Sequence, residues 1–511
     1  MLRRTMRLLP ILTFSVCLAA IQAAQAEIVL APLFSDGVVL QREKPIPVWG
    51  RAEPGQKLVV TFQDQTMRTT VDADGRWIVY FEAVPASGDP HEIVVAAAKE
   101  SVVVRDVVVG EVWLASGQSN MEWTIANVVP EEQKIAAVDL PLVRQLKIER
   151  TTAGRPADTV RTGGWQKANP STVPHFSAVG YFFARELHRR LRVPVGIVNS
   201  SWGGSPIEAW MSDRSRHATT LGPTIDERWK ATRAEWTPER IARHASEMEA
   251  WQQAEAQAKA TNTKNPLPWP KQPATDDSHY RPGNLFNGMI APLQPFALRG
   301  FLWYQGESNV ERPNEYEELF PAMIRSWRAN WGDDSLPFYF VQIPNYADRN
   351  PQGRQWARLR EAQTKALELP RTAMAVTIDV GDPDDIHPRT KMEVGRRLAL
   401  IAKTEIHDLP GDTSGPMFVG ATRENGAMRV RFTHAATGLV AHQRPVQALE
   451  LAGADQVFHP AVGRIERDTL VVTSPHVPAP VAVRYAWTNA PAANLYNGAG
   501  LPAEPFRSDN W

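Results

Sequence analysis

Cysteine is almost missing. The only one in 511 residues, Cys17, lies in an N-terminal leader, with Val16 where a lipidated cysteine would follow a small residue. The mature chain therefore forms no disulfide and offers no thiol nucleophile, so stability rests on apolar cores and any nucleophile is an oxygen or a nitrogen. Charge of one sign is missing too. The 56 basic and 56 acidic residues cancel, which gives no uniform field for nucleic acid or an anionic membrane surface. Beyond the leader no apolar run is long enough to span a bilayer.

What is present begins with the leader itself. Arg3, Arg4 and Arg7 precede an apolar run from Leu8 to Ile21, and Ala24-Gln25-Ala26 supplies a small-x-small cleavage pattern. This predicts a secretory signal over residues 1–26, a mature chain from Glu27, and a periplasmic or secreted location.

The hydrophobic content of 43% allows large cores, and the length suggests about three domains of roughly 150 residues. Short runs such as "KLVVTF", "RWIVYF" and "HEIVVAAA", punctuated by Pro54-Gly55, Asp74-Gly75 and Ser87-Gly88, predict an N-terminal β-sandwich-like module over 27–106. From 107 to 410 apolar strands alternate with helical periods. "VGYFFARELHRRL" aligns Val179, Phe182, Phe183, Leu187 and Leu191 on one face, and "YEELFPAMIRSW" aligns Tyr316, Leu319, Phe320, Met323 and Trp327. That alternation predicts an α/β domain with a mostly parallel sheet. Residues from about 212 to 282 break the rhythm and read as a helical insertion, whose Trp229, Trp236, Trp251 and Trp269 either pack it or wall a cleft. Short strands return in a C-terminal β-rich module over 411–511.

Four segments share one grammar, an apolar strand running into a polar or glycine-rich loop. They are "VWLASGQSNM", "VGIVNSSWGGSPIEAW", "GFLWYQGESN" and "AMAVTIDVGDPDDIHP". In an open parallel sheet such loops emerge together at the carboxyl edge, where ligands bind. A lone serine at a strand-to-helix turn is ordinarily a cap, but this rim holds a full set for acyl transfer. Ser119 supplies a hydroxyl that needs a base, His387 is an imidazole titrating near neutrality, and Asp384 or Asp385 could orient it. Backbone N–H groups of Ser119 and Gly204, with the side-chain amide of Gln305 or Asn309, are candidate oxyanion donors. The usual G-x-S-x-G elbow is absent. Asp379, Asp382, Asp384 and Asp385 do not have the spacing of a calcium loop, so no metal is expected.

At these residues the sequence resembles the SGNH hydrolases. "GQSNMEW", "WGGSPIEAW", "WYQGESN" and "DIHP" are similar to blocks of the sialate O-acetylesterase family and its carbohydrate acetylesterase relatives, and the resemblance runs over nearly the whole mature chain. It implies a flavodoxin-like α/β catalytic domain, no metal or organic cofactor, and removal of acetyl groups from sugar hydroxyls. Carried over, Ser119 is the nucleophile, His387 the base, and Gly204 part of the oxyanion hole. The general third block, G-x-N-D, is here Gly306-Glu307-Ser308-Asn309, which displaces the asparagine by one residue and makes Gln305 a rival to Asn309. The general D-x-x-H block fits Asp384, whereas "DIHP" favours Asp385, and both stay open. Asn120, Trp123, Trp202, Trp303 and Glu307 neighbour the motifs and are expected on the sugar side, the tryptophans by stacking, with packing or loop bracing as the competing use of each. The expected partner is an acetylated carbohydrate, with no nucleic acid and no membrane insertion after signal removal. Two other functions compete: a non-catalytic carbohydrate-binding protein, and a lipase or thioesterase on the same fold.

Overall fold

The computed structural model describes residues 27–261, 263, 265–441 and 445–511. The leader expected over 1–26, with Cys17, lies outside them. Among the described residues no helix is long and apolar enough to cross a membrane.

Strand β1 (Ser101–Gly117) organises the chain. Its first half pairs antiparallel with Ser87–Ala96. Its second half, Val107 to Gly117, is buried without interruption, as a strand covered on both faces must be. The other strands of the central sheet are β2 (Leu140–Ile148), β3 (Thr162–Ala168), β4 (Val195–Ser201), β5 (Gly300–Tyr304), β6 (Phe338–Val341) and β7 (Thr372–Ala375), in the spatial order β3-β2-β4-β1-β5-β6-β7. Neighbours are parallel except β2 and β3. The chain builds the β2–β4 side first and then crosses β1 to lay down β5, β6 and β7. That reversal puts a crevice at the carboxyl end of β1.

Helices α1 (Ser119–Glu122), α2 (Pro130–Ala136) and α3 (Ala178–Leu191) follow β1 through β3, and α4 (Asp213–His217), α5 (Gly222–Ala234) and α6 (Pro238–Ala260) form the insertion. Helices α7 (Pro313–Asn330), α8 (Gln355–Lys365) and α9 (Met392–Glu405) complete the layers. The predicted apolar face of α3 is buried at Val179, Phe182, Phe183 and Leu187, in one cluster with Val394, Leu398 and Ile401 of α9. Ser177 caps α3, its hydroxyl accepting the Gly180 N–H. The predicted face of α7 is likewise buried at Tyr316, Leu319, Phe320, Met323 and Trp327.

The N-terminal residues form a three-stranded sheet of Val29–Leu30, Ile46–Arg51 and Arg76–Phe81, while Lys57–Phe62, Gln65–Thr70 and Ser87–Ala96 join the first half of β1. Their apolar side chains run into the same core as the central sheet. The boundary expected at residue 106 therefore falls inside a continuous strand. The C-terminal seven-stranded sheet, from Met417–Glu424 to Phe506–Arg507, has its own core. It is fastened to α8 by buried Arg360, which donates to the carbonyls of Ile343, Pro344, Thr488 and Asn489, and by the Arg507–Glu361 ion pair.

Candidate active site

Strands β4, β1 and β5 end abreast, with Gly117 level with Ser201 on one side and Tyr304 on the other. Only glycine fits at Gly117. Its φ is +132°, and a Cβ there would lie 2.1 Å from the Tyr304 carbonyl oxygen. The Gln118 N–H continues the contact to that carbonyl at 3.0 Å. The chain then turns into α1 and leaves Ser119 partly exposed over buried Asn120 and Met121.

His387, on the loop after β7, reaches this turn, with Nε2 2.8 Å from the Ser119 Oγ. Its ring stacks on Trp123 at 4.9 Å and 15°. Of the two carboxylates left open by the sequence, Asp385 faces the imidazole. Its Oδ1 accepts the His387 backbone N–H at 2.8 Å and lies 4.0 Å from Nδ1. Asp384 is exposed, and its N–H donates to Asp382 Oδ1. Burial lowers the His387 pKa, Asp385 opposes that shift, and the Lys391 charge adds to it. The ring therefore stays neutral, and able to accept a proton, below the ordinary histidine range.

The loop after β4 covers the other side. A Cβ on Gly203 would lie 3.2 Å from Ser119 Cβ. The Gly203 N–H is held by Glu122 Oε2 at 2.9 Å, and Glu122 is paired with Arg150. Gly204 has φ +73°, and its Cβ position faces the Tyr280 hydroxyl at 3.4 Å. Trp202 stacks on His279 at 4.9 Å and 8°, with the Arg150 guanidinium 5.6 Å from the indole. Burial and the Arg150 charge push His279 down to about 4. Beside Gly204 opens a cavity of about 340 Å³ lined by Tyr280, Ser308 and Arg312 and walled by Trp229 and Trp269 of the insertion. Trp269 is 58% exposed and meets Trp251 edge-on.

Several expected ligand-facing residues have other work. Trp303 is fully buried, edge-on to Trp210 and Trp327, because a central parallel strand buries both of its faces; it is a core residue. Gln305 is fully buried, and its side-chain N–H groups are taken by the Ser205 carbonyl and Asn309 Oδ1. Asn309 is also fully buried; its Nδ2 donates to Glu208, and its Oδ1 accepts from Ile207 N–H as well as from Gln305. Neither side-chain amide is available to an oxyanion. Asn120 is fully buried too. It donates to Glu307 Oε1 at 2.6 Å and to the Ile386 carbonyl at 3.0 Å, and accepts from Lys391 Nζ at 2.6 Å. Glu307, 9% exposed, has its pKa raised by burial. Asn120 and Glu307 thus brace the loops and do not face the sugar.

Three residues at the site carry no signal of their own in the sequence: Glu122, within the segment "GQSNMEW"; Glu132, whose Oε2 accepts the N–H groups of Lys391 and Met392; and Lys391. A lysine entering a helix is ordinarily solvated, and nothing in the spacing marks Lys391 as fully buried.

A family model described as a carbohydrate esterase, sialic acid-specific acetylesterase, matches residues 241–403. A carbohydrate acetylesterase from Xanthomonas citri, of known crystal structure, is 38% identical, with 95% of this chain and 100% of that chain covered and a TM-score of 0.80. The sialate O-acetylesterase of Mus musculus is 28% identical over 92% of each chain. That of Homo sapiens is 27% identical over 93% of this chain and 91% of its own. Mixed α/β architecture, a serine hydroxyl bonded to an imidazole at the carboxyl edge of the sheet, and these relatives define a carboxylic ester hydrolase of the carbohydrate esterase class. Within that class, the chain belongs with the carbohydrate acetylesterases, and it is similar over nearly its whole length to sialate O-acetylesterases.

Proposed function

We propose that the protein removes O-acetyl groups from sugar hydroxyls through an acetyl-enzyme on Ser119. The observation that carries this reading is the 2.8 Å contact between His387 Nε2 and Ser119 Oγ at the crevice beside β1. The fold supports an SGNH, flavodoxin-like reading. Without the β2–β3 pair at one edge, the order β4-β1-β5-β6-β7 is the 2-1-3-4-5 order of that class.

Ser119 Oγ attacks the acetyl carbonyl carbon and its proton passes to His387 Nε2. The oxyanion accepts the N–H groups of Ser119 and Gly204. Collapse expels the sugar alkoxide, which takes the proton from Nε2. Water then attacks the acetyl-enzyme, giving one proton to Nε2; acetic acid leaves, and the proton returns to Oγ. Asp385 is the carboxylate that stabilises the imidazolium, through space at 4.0 Å. Trp123 holds the imidazole by stacking, and Trp202 flanks the Gly204 loop. The cavity beside Gly204, with Trp229 and Trp269 as aromatic walls, receives the sugar. The leader, if cleaved after Ala26, delivers the enzyme to the periplasm or exterior, with the N-terminal strands sharing the catalytic core and the 411–511 module following the catalytic region.

The test is acetate release by the mature protein from O-acetylated sialic acid, acetylated xylan and acetylated xyloglucan, with Ser119→Ala as control. Release that vanishes in the variant is expected. Equal release by folded Ser119→Ala overturns the nucleophile assignment, and no release from any of the three overturns the substrate class.

A further inference from the structure

We propose that Lys391 is a positioning residue of the esterase, locking the carboxamide of Asn120 so that one side chain clamps the nucleophile turn, the histidine loop and the loop after β5 together. This rests on the assignment of Ser119 and His387 above. Lys391 Nζ lies 2.6 Å from Asn120 Oδ1, within a fully buried setting. With its oxygen engaged, Asn120 must present Nδ2 to its remaining partners. Both are acceptors: the Ile386 carbonyl, one residue before His387, and Glu307 Oε1. Asn120 itself follows Ser119. The chain of contacts therefore runs from a buried ammonium to both reacting groups without touching either.

A carboxamide can rotate by half a turn at little steric cost, since its oxygen and nitrogen are nearly the same size. Rotated, Asn120 would set its oxygen against the Ile386 carbonyl and the Glu307 carboxylate, both acceptors. The ammonium, having no acceptor, forbids that state. The Glu307 carboxylate is in turn favoured by its own backbone N–H, by Asn120, by the nearby Lys391 charge and by the Gly306 N–H, all working against its burial.

The same charge acts on the base. The ionisable groups facing Lys391 are Glu307, Asp385 and Glu132, and burial outweighs their attraction, pushing the ammonium down to about 7. It also lies 5.4 Å from the centre of the Tyr304 ring. His387 feels Asp385 and Lys391, while Glu122 and Arg150 form their own pair beyond Gly203. In its charged form Lys391 lowers the His387 pKa and so favours the neutral ring that accepts a proton.

The experiment compares wild type, Lys391→Met and Lys391→Arg as purified mature proteins hydrolysing p-nitrophenyl acetate, with thermal melting of each and Ser119→Ala as the control for the site. For Lys391→Met the expected result is a loss of about 10-fold or more in kcat with KM changed less than about 3-fold, because binding is left intact and alignment is not. The acid limb of its kcat/KM profile moves up by roughly 0.5 pH unit or more, as loss of a nearby positive charge requires. Lys391→Arg keeps the charge, and its acid limb stays with the wild type. A folded Lys391→Met with wild-type kcat, or one whose acid limb does not move, overturns the proposal. Should Lys391→Met fail to fold, an Lys391→Arg acid limb displaced like that of a charge-removing variant overturns it instead. Activity persisting in Ser119→Ala would refute the underlying site assignment and not the role of Lys391.

Discussion

Replacing Asp385 by Asn separates two things the carboxylate does. The carboxamide keeps an oxygen for the His387 backbone N–H, which Asp385 Oδ1 accepts at 2.8 Å, and so preserves the loop while removing the charge. The electrostatic loss follows from the 4.0 Å between Oδ1 and Nδ1. Opposite unit charges at that distance attract by about 1 kcal/mol at the dielectric of water and about 4 kcal/mol at an effective value near 20. The Asp385 side chain is 48% exposed, so solvent screening puts the imidazolium stabilisation between those limits, at roughly 2 kcal/mol. That is a fall of roughly 30-fold in kcat, far short of the roughly 10⁴ lost with a buried, hydrogen-bonded triad carboxylate. The assay is steady-state acetate release at pH 8, where His387 is neutral, for Asp385→Asn and Asp384→Asn in parallel. Asp384, exposed and turned toward Asp382, should change kcat less than about 2-fold. A loss beyond about 10³ for Asp385→Asn would refute the screened-charge reasoning, and an equal loss for Asp384→Asn would refute the choice of carboxylate.

Three other outcomes are expected. Because burial and the Lys391 charge lower the His387 pKa, protonation should abolish activity only below the ordinary histidine range; a pH–rate profile of kcat/KM should show its acid midpoint under about 6.5. Trp303→Ala should destabilise the protein by about 3–5 kcal/mol, read as a fall in Tm, as expected for a buried core aromatic, whereas Trp229→Ala should leave Tm nearly unchanged and raise KM for acetylated sugars about 3-fold or more. Gly117→Ala should fail to reach the native register, since its methyl would meet the Tyr304 carbonyl at 2.1 Å. Gly204→Ala meets only ordinary contacts, the Tyr280 hydroxyl at 3.4 Å being the nearest, and should fold at a cost of about 1 kcal/mol for positive φ, yet lose activity because its methyl borders the oxyanion site; circular dichroism melts and acetate release distinguish the two.

The reacting pair was legible because strand-end grammar is local. An apolar run that stops at "GQSN" or "DIHP" identifies a loop at the carboxyl edge whatever the distance between the segments, and the sheet order then brings Ser119 and His387 together. The choice between Asp384 and Asp385 is not legible, since it depends on loop contacts: Asp382 Oδ1 accepts the Asp384 N–H, while Asp385 Oδ1 accepts the His387 N–H. Trp303 was misplaced for a different reason. Alternation tells inside from outside only when one face of a strand meets water, and β5 is buried along its whole length. The expected module boundary at 106 follows a change of texture, but β1 carries the chain through that change without a break.

The amides that make the motifs conspicuous are structural for a reason their chemistry supplies. Four loops arriving at one rim bring backbone groups that no sheet ladder satisfies, and a carboxamide both donates and accepts. Gln118 uses its Oε1 to hold the N–H groups of Gly306 and Ser308. Asn120 ties the serine turn to the histidine loop, and Gln305 and Asn309 tie β5 to the chain after Gly204. All four carboxamide side chains are buried, which withholds them from a sugar. In the proposed function, recognition of the alcohol therefore falls to the cavity beside Gly204, where Ser308 joins side chains from outside the signature segments. The side chains placed to supply it, Trp229 and Trp269, stand on the insertion that interrupts the α/β alternation, where sequence can vary without disturbing the rim that performs the chemistry.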